Sequence, residues 1–298
     1  MHPAYAQSLA ECGTPLQLPR SRGWVLRRRI PGFALEDAMW CYPLFSCNDW
    51  SQLGLDLDEL EGELVSLSVV TDPFGEYTEA YLKECFRDVV VPFKQHFVVN
   101  LSRPPETFVH PHHRRNARRA LRELQVERCA APSDFLDDWT ALYATLVERH
   151  AVTGVAAFSR DSFAAQLAVP GVEAFRAARD GATVGMLLWY AQGEVAYYHL
   201  GAYSARGYEL RASFALFSYA MEYFTRQGLR WLNLGGGAGT GAGSESGLSR
   251  FKAGWSNDTR TAYFCGRVLD PLRYQEIVTA KNVPPTEYFP AYRLGEFR

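Results

Sequence analysis

The chain has 298 residues, with 31 Lys and Arg against 33 Asp and Glu, for a net charge of -2. That balance excludes a dedicated DNA packer or a polybasic membrane binder, and 47% hydrophobic with 21% charged residues excludes an unfolded chain. The length allows one large domain or two medium ones around a core that needs no staples, and an aromatic share of 14% leaves flat rings to line a cleft as well as fill a core.

In chain order, Met1 to Arg20 contains Glu11, Pro15 and Pro19 and has no apolar signal-like region, and no run approaches 18 apolar residues. The expectation is a soluble, cytoplasmic protein without a membrane span. The cysteines Cys12, Cys41, Cys47, Cys85, Cys129 and Cys265 form no C-x-x-C pair and read as reduced thiols. Ser51 to Asn100 carries ten acidic and three basic residues; His110 to Arg128 carries six Arg and two Glu. Between them, Phe97 to Leu101 reads as a strand, broken by Pro104 and Pro105.

From His110 to Arg122, apolar positions at Ala117, Ala120, Leu121 and Leu124 predict an amphipathic helix with an arginine-rich polar face. A boundary is expected near Ala131, giving an N-terminal half over 1–131 and a C-terminal half over 132–298 whose tail returns to the first. The second half reads clearly. A helix runs from about Asp134 to His150, and Ser159 caps another to about Leu167. Val172 to Ala178 and Thr183 to Ala191 pair across the Asp180-Gly181 turn, and Val195 to Tyr203 is a third strand. Arg211 to Arg226 is a helix stopped by Gly228. Arg230 to Leu234 is a buried strand, followed by a glycine loop, a short helix at about Gly247 to Lys252 and a strand from Thr261 to Val268.

This order resembles the GNAT acyltransferase fold, and three segments resemble its Fem-type (FemAB-like) aminoacyltransferase branch: the basic helix Arg114 to Ala120; Leu232-Asn233-Leu234-Gly235-Gly236-Gly237 followed by Gly247 to Trp255 with its Phe251-Lys252 pair; and the tail Tyr288 to Arg293. The resemblance implies an α+β, double GNAT-like fold with two mixed sheets flanked by helices and a degenerate first half. It also implies that Lys252 faces the donor ester. There a fixed ammonium stabilises the negative charge that acyl transfer develops on the carbonyl oxygen, or holds a donor phosphate. The plain alternative is a solvated lysine at a helix end.

Other residues are candidates on their own chemistry. Gly235, Gly236, Gly237 and Phe251 are candidate donor contacts. Gly237-x-Gly239-x-x-Ala242 fits a dinucleotide spacing, yet no βαβ unit surrounds it, so a loop over the donor site competes with an oxidoreductase reading. Arg206 and Arg211 flank the start of the long helix, where CoA-dependent GNAT enzymes hold a pyrophosphate with glycine amides. Glu209 and Arg211 stand where those glycines belong, which disfavours acetyl-CoA. Arg115, Asn116, Arg118 and Arg119 are candidates for phosphate or acceptor binding, against a solvated helix face. His199 and Glu209 are candidate proton acceptors, with Asp258 a further one, and Tyr197 a candidate cleft wall. His110, His112 and His113 lack the partners of a metal site. No G-x-S-x-G elbow indicates a covalent nucleophile.

The sequence thus points to an acyltransferase that forms an amide from an aminoacyl-tRNA acceptor end and a small peptide-like or nucleotide-linked amine. No resident cofactor and no DNA partner are expected. An acyl-CoA or carrier-thioester donor on the same fold is the alternative, and a non-catalytic GNAT-like binding module the alternative of another class.

Overall fold

A computed structural model describes residues 1–237 and 247–296. The helices in chain order are α1 (Pro3–Gln7), α2 (Leu53–Glu59), α3 (Glu79–Cys85), α4 (Pro111–Ala120), α5 (Leu136–His150), α6 (Arg160–Leu167), α7 (Ala205–Glu209), α8 (Ala212–Arg226), α9 (Gly247–Ala253) and α10 (Pro271–Ala280). The strands are β1 (Thr14–Gln17), β2 (Trp24–Arg29), β3 (Glu36–Trp40), β4 (Ser66–Val70), β5 (Val89–Asn100), β6 (Gln125–Arg128), β7 (Val172–Arg179), β8 (Ala182–Gln192), β9 (Val195–Tyr203), β10 (Trp231–Asn233) and β11 (Asp258–Val268). No described helix is long and apolar enough to cross a membrane. All six cysteines are free; Cys12 is half-buried and the rest are buried.

The chain forms two compact units, one of residues 1–93, 153–158 and 261–298, the other of 94–152 and 159–260. The expected boundary at Ala131 is corrected by this division. β6, before Ala131, pairs antiparallel with β7 after it, and the buried faces of α4 and α8 share one core through Ala117, Ala120, Leu216 and Ala220. Pairing and core packing therefore tie the basic helix to the elements C-terminal to it.

In the first unit β1, β2 and β3 pair antiparallel, β3 runs parallel to β4, and β4 is antiparallel to β11 with Cys265 opposite Val69. Its core is aromatic and aliphatic around Phe45, Trp50, Leu57, Leu67 and Phe86. Tyr292 and Arg293 of the tail reach fully buried Asp37: the tyrosine Oη donates at 3.0 Å and arginine Nη2 at 2.8 Å. A buried carboxylate is costly unless its oxygens are matched in this way, so the tail supplies what Asp37 requires.

The second unit holds the sheet order β5-β10-β9-β8-β7-β6. β10 is antiparallel to β5 and parallel to β9, and the remaining neighbours are antiparallel. The Asp180-Gly181 turn has φ of 52° and 81°, the two positive values a two-residue hairpin turn needs to match strand twist. Ser159 Oγ accepts from Ser162 N at 3.0 Å and starts α6 as expected. α8 buries Ala215, Leu216, Phe217, Ala220, Met221 and Phe224 against the sheet, and each large apolar side chain so buried contributes about 1.5–3 kcal/mol. The fold is α+β and GNAT-like, as the element order implied.

Candidate active site

The site begins where two strands part. β10 pairs with β9 at only three positions, Trp231 with Val195, Leu232 with Ala196 and Asn233 with Tyr197. Beyond them β9 runs on to Tyr203, while Leu234 and Gly235 stay with β5: Leu234 N donates to Phe97 O at 2.9 Å and Phe97 N to Gly235 O at 3.1 Å. Gly235 takes φ of 75°, a conformation open to glycine at no steric cost. Asn233 Oδ1 accepts from Gly235 N at 2.9 Å and holds the turn.

Lys252 fills the resulting gap. α9 is anchored by Phe251 and Trp255 on α8: Phe217 lies 5.0 Å from the Phe251 ring and 6.0 Å from the Trp255 ring, the latter stacked at 23°. Lys252 Nζ then donates to Gly236 O at 2.7 Å and stands 5.6 Å from the ring of Tyr198 on β9. A methyl on Gly235 would come within 3.2 Å of this Nζ. Lys252 is only 6% exposed, and no carboxylate among the described residues pairs with it. Burial first, and the charge of Lys94 second, bring its pKa down from 10.5 to about 7.

Lys94 and His96 on β5 face the same glycines. Lys94 Nζ donates to Gly237 O at 3.3 Å, and its stem lies under Gly236, where an added Cβ would meet Lys94 Cβ at 3.2 Å. Burial lowers the Lys94 pKa. His96 Nδ1 is 3.0 Å from Asn233 Oδ1. Burial brings its pKa to about 4, opposed by the Asn233 contact and assisted by Lys252 and Lys94, so the ring is neutral. Asn233 Nδ2 is buried without a partner among the described residues. Sequence reading missed Lys94 and His96: they lie on a strand with no motif, and only its pairing with β10 brings them to the glycines.

α4 is locked to α9. His113 Nε2 contacts Phe251 O at 3.0 Å, and its ring lies among Phe214, Phe251 and Trp255 at 5.0, 5.4 and 5.3 Å between centroids. His110 N donates to Gly254 O at 2.9 Å. Arg115, Arg118 and Arg119 form the exposed face, and no ion pair engages them among the described residues. Asn116 lies on the buried face instead, with Nδ2 2.9 Å from His112 Nε2. The helical period separates it from the arginines.

Residues 111–252, from the start of α4 to Lys252 itself, match the family model described as an acetyltransferase (GNAT) domain. Most of the matched stretch lies in the second unit, whose fold is GNAT-like. Over the whole chain the fold is similar to FemX, with a TM-score of 0.66 at 14% identity across 93% of this chain and 95% of that one. It is also similar to L-PGS from Bacillus licheniformis, at 0.59 and 16% identity over 95% and 98% of the two chains. The C-terminal domain of a putative lysylphosphatidylglycerol synthetase from Agrobacterium fabrum gives 0.62 and 14% over 90% and 88%. At these identities the likeness is one of fold, and it supports the Fem-type resemblance at that level. No curated protein matches the chain.

Within the matched region, several expected site residues do not meet Lys252. Successive residues of β9 point to opposite faces. Tyr198 lies against Trp189, Phe217 and Lys252, so His199 points the other way, 2.9 Å from Gln166 Oε1 on α6 and 5.2 Å from the Tyr190 ring. Burial pushes its pKa down to about 3. His199 is therefore corrected from proton acceptor to a structural residue. Tyr197 shares that face, paired in register with Tyr190. We expect His199→Ala to cost about 1–3 kcal/mol, because it removes the partner of the buried Gln166 Oε1. Denaturant unfolding checks this, and kcat per folded molecule should not change.

Glu209 is exposed and ion-paired with Arg206 at 2.8 Å, and no described contact joins it to Lys252. Arg211 holds φ of 59° as the residue before α8. α7 consumes the amides that a CoA loop would offer: Ser204 Oγ takes Gly207 N, Ser204 O takes Tyr208 N, Arg206 O takes Leu210 N and Tyr208 O takes Arg211 N. Gly235 and Gly236 meet Lys252, Gly237 meets Lys94 and Ser249, and Phe251 precedes Lys252 on α9. Ala238 to Gly243, and with them the dinucleotide spacing ending at Ala242, lie outside the described residues.

Proposed function

We propose that the protein transfers an aminoacyl group from aminoacyl-tRNA to an amine, forming an amide. The observation that carries this reading is the Lys252 ammonium in the gap between the parting strands, 2.7 Å from Gly236 O and desolvated. The acceptor nitrogen attacks the ester carbonyl carbon, the C–N bond forms, the ester C–O bond breaks, and the ribose hydroxyl leaves. Negative charge builds on the carbonyl oxygen. A fixed ammonium in a dry gap stabilises it far more than one in water, and the incoming negative charge raises the lysine's own pKa and keeps it protonated. Arg115, Arg118 and Arg119 would take phosphates of the tRNA acceptor end, a local basic face on a chain that is acidic overall. The acceptor would be a peptidoglycan precursor or a peptide-like metabolite, in the cytoplasm.

Two further observations support this donor. The amides of residues 207, 208, 210 and 211 are spent within α7, which weighs against a CoA pyrophosphate at that loop. One structural neighbour is named a putative lysylphosphatidylglycerol synthetase, a name that joins an amino acid to its product. The test offers the protein charged total tRNA and, separately, acyl-CoA, each beside candidate amines. We expect product that disappears after RNase treatment of the donor. RNase-resistant, CoA-dependent product would replace this donor with a thioester. Absence of product with either would favour the binding module.

A further inference from the structure

Lys94 and Lys252 come from segments 158 positions apart in sequence yet bind adjacent carbonyls, Gly237 O at 3.3 Å and Gly236 O at 2.7 Å. The stem of Lys94 underlies Gly236, and Gly235 has no side chain to come between the peptide and Lys252 Nζ. Two ammoniums are therefore fixed on adjacent carbonyls of one backbone segment. Each carries three donors, and Gly236 O takes one of those of Lys252. We propose that Lys94 and Lys252 form a two-cation seat for a phosphate group of the acyl donor, in which Lys94 binds phosphate while Lys252 remains available to the carbonyl oxygen. This rests on the acyl-transfer reading and divides its two anions between two cations.

Electrostatics agrees with the geometry. The charge of Lys94 helps lower the pKa of Lys252, and both lysines lower that of His96. Like charges that act on each other in this way repel, and a bound anion relieves the repulsion. Asn233 Nδ2, buried without a partner among the described residues, is a further neutral donor two positions before Gly235. A phosphate carries up to two negative charges and several acceptor oxygens, which suits two cations and an amide better than a single carboxylate does.

The test titrates the full-length protein with inorganic pyrophosphate by calorimetry at pH 6.5, comparing wild type, Lys94→Met and Lys94→Arg. Methionine keeps the apolar stem that lies under Gly236, and circular dichroism checks the fold of each variant. Lys94→Met should weaken binding about tenfold or more, the scale of a lost charge-assisted hydrogen bond, and Lys94→Arg should stay within about threefold of wild type. The alkaline midpoint of binding should also rise in Lys94→Met, because Lys252 loses a neighbouring positive charge.

In turnover, Lys94→Met should raise KM for charged tRNA and leave KM for the acceptor unchanged. The reverse would assign the seat to an acceptor phosphate and overturn the donor assignment. Folded Lys94→Met that binds pyrophosphate like wild type overturns the seat, even if tRNA-dependent turnover is found. Lys94-dependent pyrophosphate binding in a protein inert toward charged tRNA keeps the seat and removes the tRNA reading.

Discussion

Lys252→Met should reduce kcat by about 100- to 1000-fold, the range found when one preorganised stabiliser of a developing oxyanion is removed. The same substitution should not destabilise the protein near neutral pH. Lys252 is buried without a carboxylate partner among the described residues, so its folded pKa of about 7 lies below the 10.5 of the free side chain. Below pH 7 both folded and unfolded chains carry the proton, and the full cost of burying the charge is present. Between about 7 and 10.5 the unfolded chain binds the proton and the folded one releases it, so stability rises with pH across that window. Methionine has no such term. Denaturant unfolding at pH 6 and pH 9 should therefore show wild type gaining on Lys252→Met by up to a few kcal/mol as pH rises.

Activity should follow the opposite course. If the ammonium is the working form, kcat/KM of the free enzyme falls as pH rises through about 7, by about tenfold per unit well above the midpoint. Among the described residues, the charged and titratable neighbours of this lysine are Lys94, His96 and Tyr198. His96 is neutral throughout this window, because its pKa is held to about 4. Donor binding brings negative charge and moves the limb of kcat higher. A rate that rises through pH 7 would mean that the neutral amine works as a base, and undiminished turnover in Lys252→Met would overturn the catalytic assignment.

Gly254→Ala is expected to damage the packing of α4 on α9 and the site beside it. Its Cβ would lie 2.3 Å from His113 Cε1 and 2.4 Å from Nε2. The ring cannot step aside, since Nε2 is 3.0 Å from Phe251 O and Phe214, Phe251 and Trp255 surround it. The glycine cannot either, because its carbonyl accepts from His110 N at 2.9 Å and its amide donates to Arg250 O at 3.1 Å. Overpacking of this kind costs about 1–3 kcal/mol. The strain falls on Phe251, next to Lys252, so kcat should drop with stability. The double variant Gly254→Ala/His113→Ala makes room for the methyl and should recover part of the loss, and a double-mutant cycle measures that coupling. A silent single variant would show that α4 and α9 are not packed this closely.

Much of the second unit was legible because its signals are local. The Asp180-Gly181 turn, the Ser159 cap and the run of apolar residues in α8 each lie within one element, and periodicity reads them directly. Lys252 was legible through a motif, and the structure places it at Gly236. His199 shows the limit of that reading. Alternation along β9 says that Tyr198 and His199 face opposite ways, but which face borders the gap depends on where α6, α8 and α9 pack. Gly254 lies inside the Gly247 to Trp255 motif, and its role depends on His113, far earlier in the chain, packing against it.

The charge balance of -2 still argues against broad nucleic-acid binding, while three exposed arginines on α4 leave room for contact with a single acceptor end. The sequence by itself determined the order of elements, their caps and turns, and the lysine of the site, because these depend on neighbours within a few residues. The tertiary structure alone decided the boundary between the units, the face taken by His199, and the meeting of residue 94 with residues 233–237 and 252. Those depend on strand pairing between distant segments, where a one-residue change of register would turn every side chain to the other face.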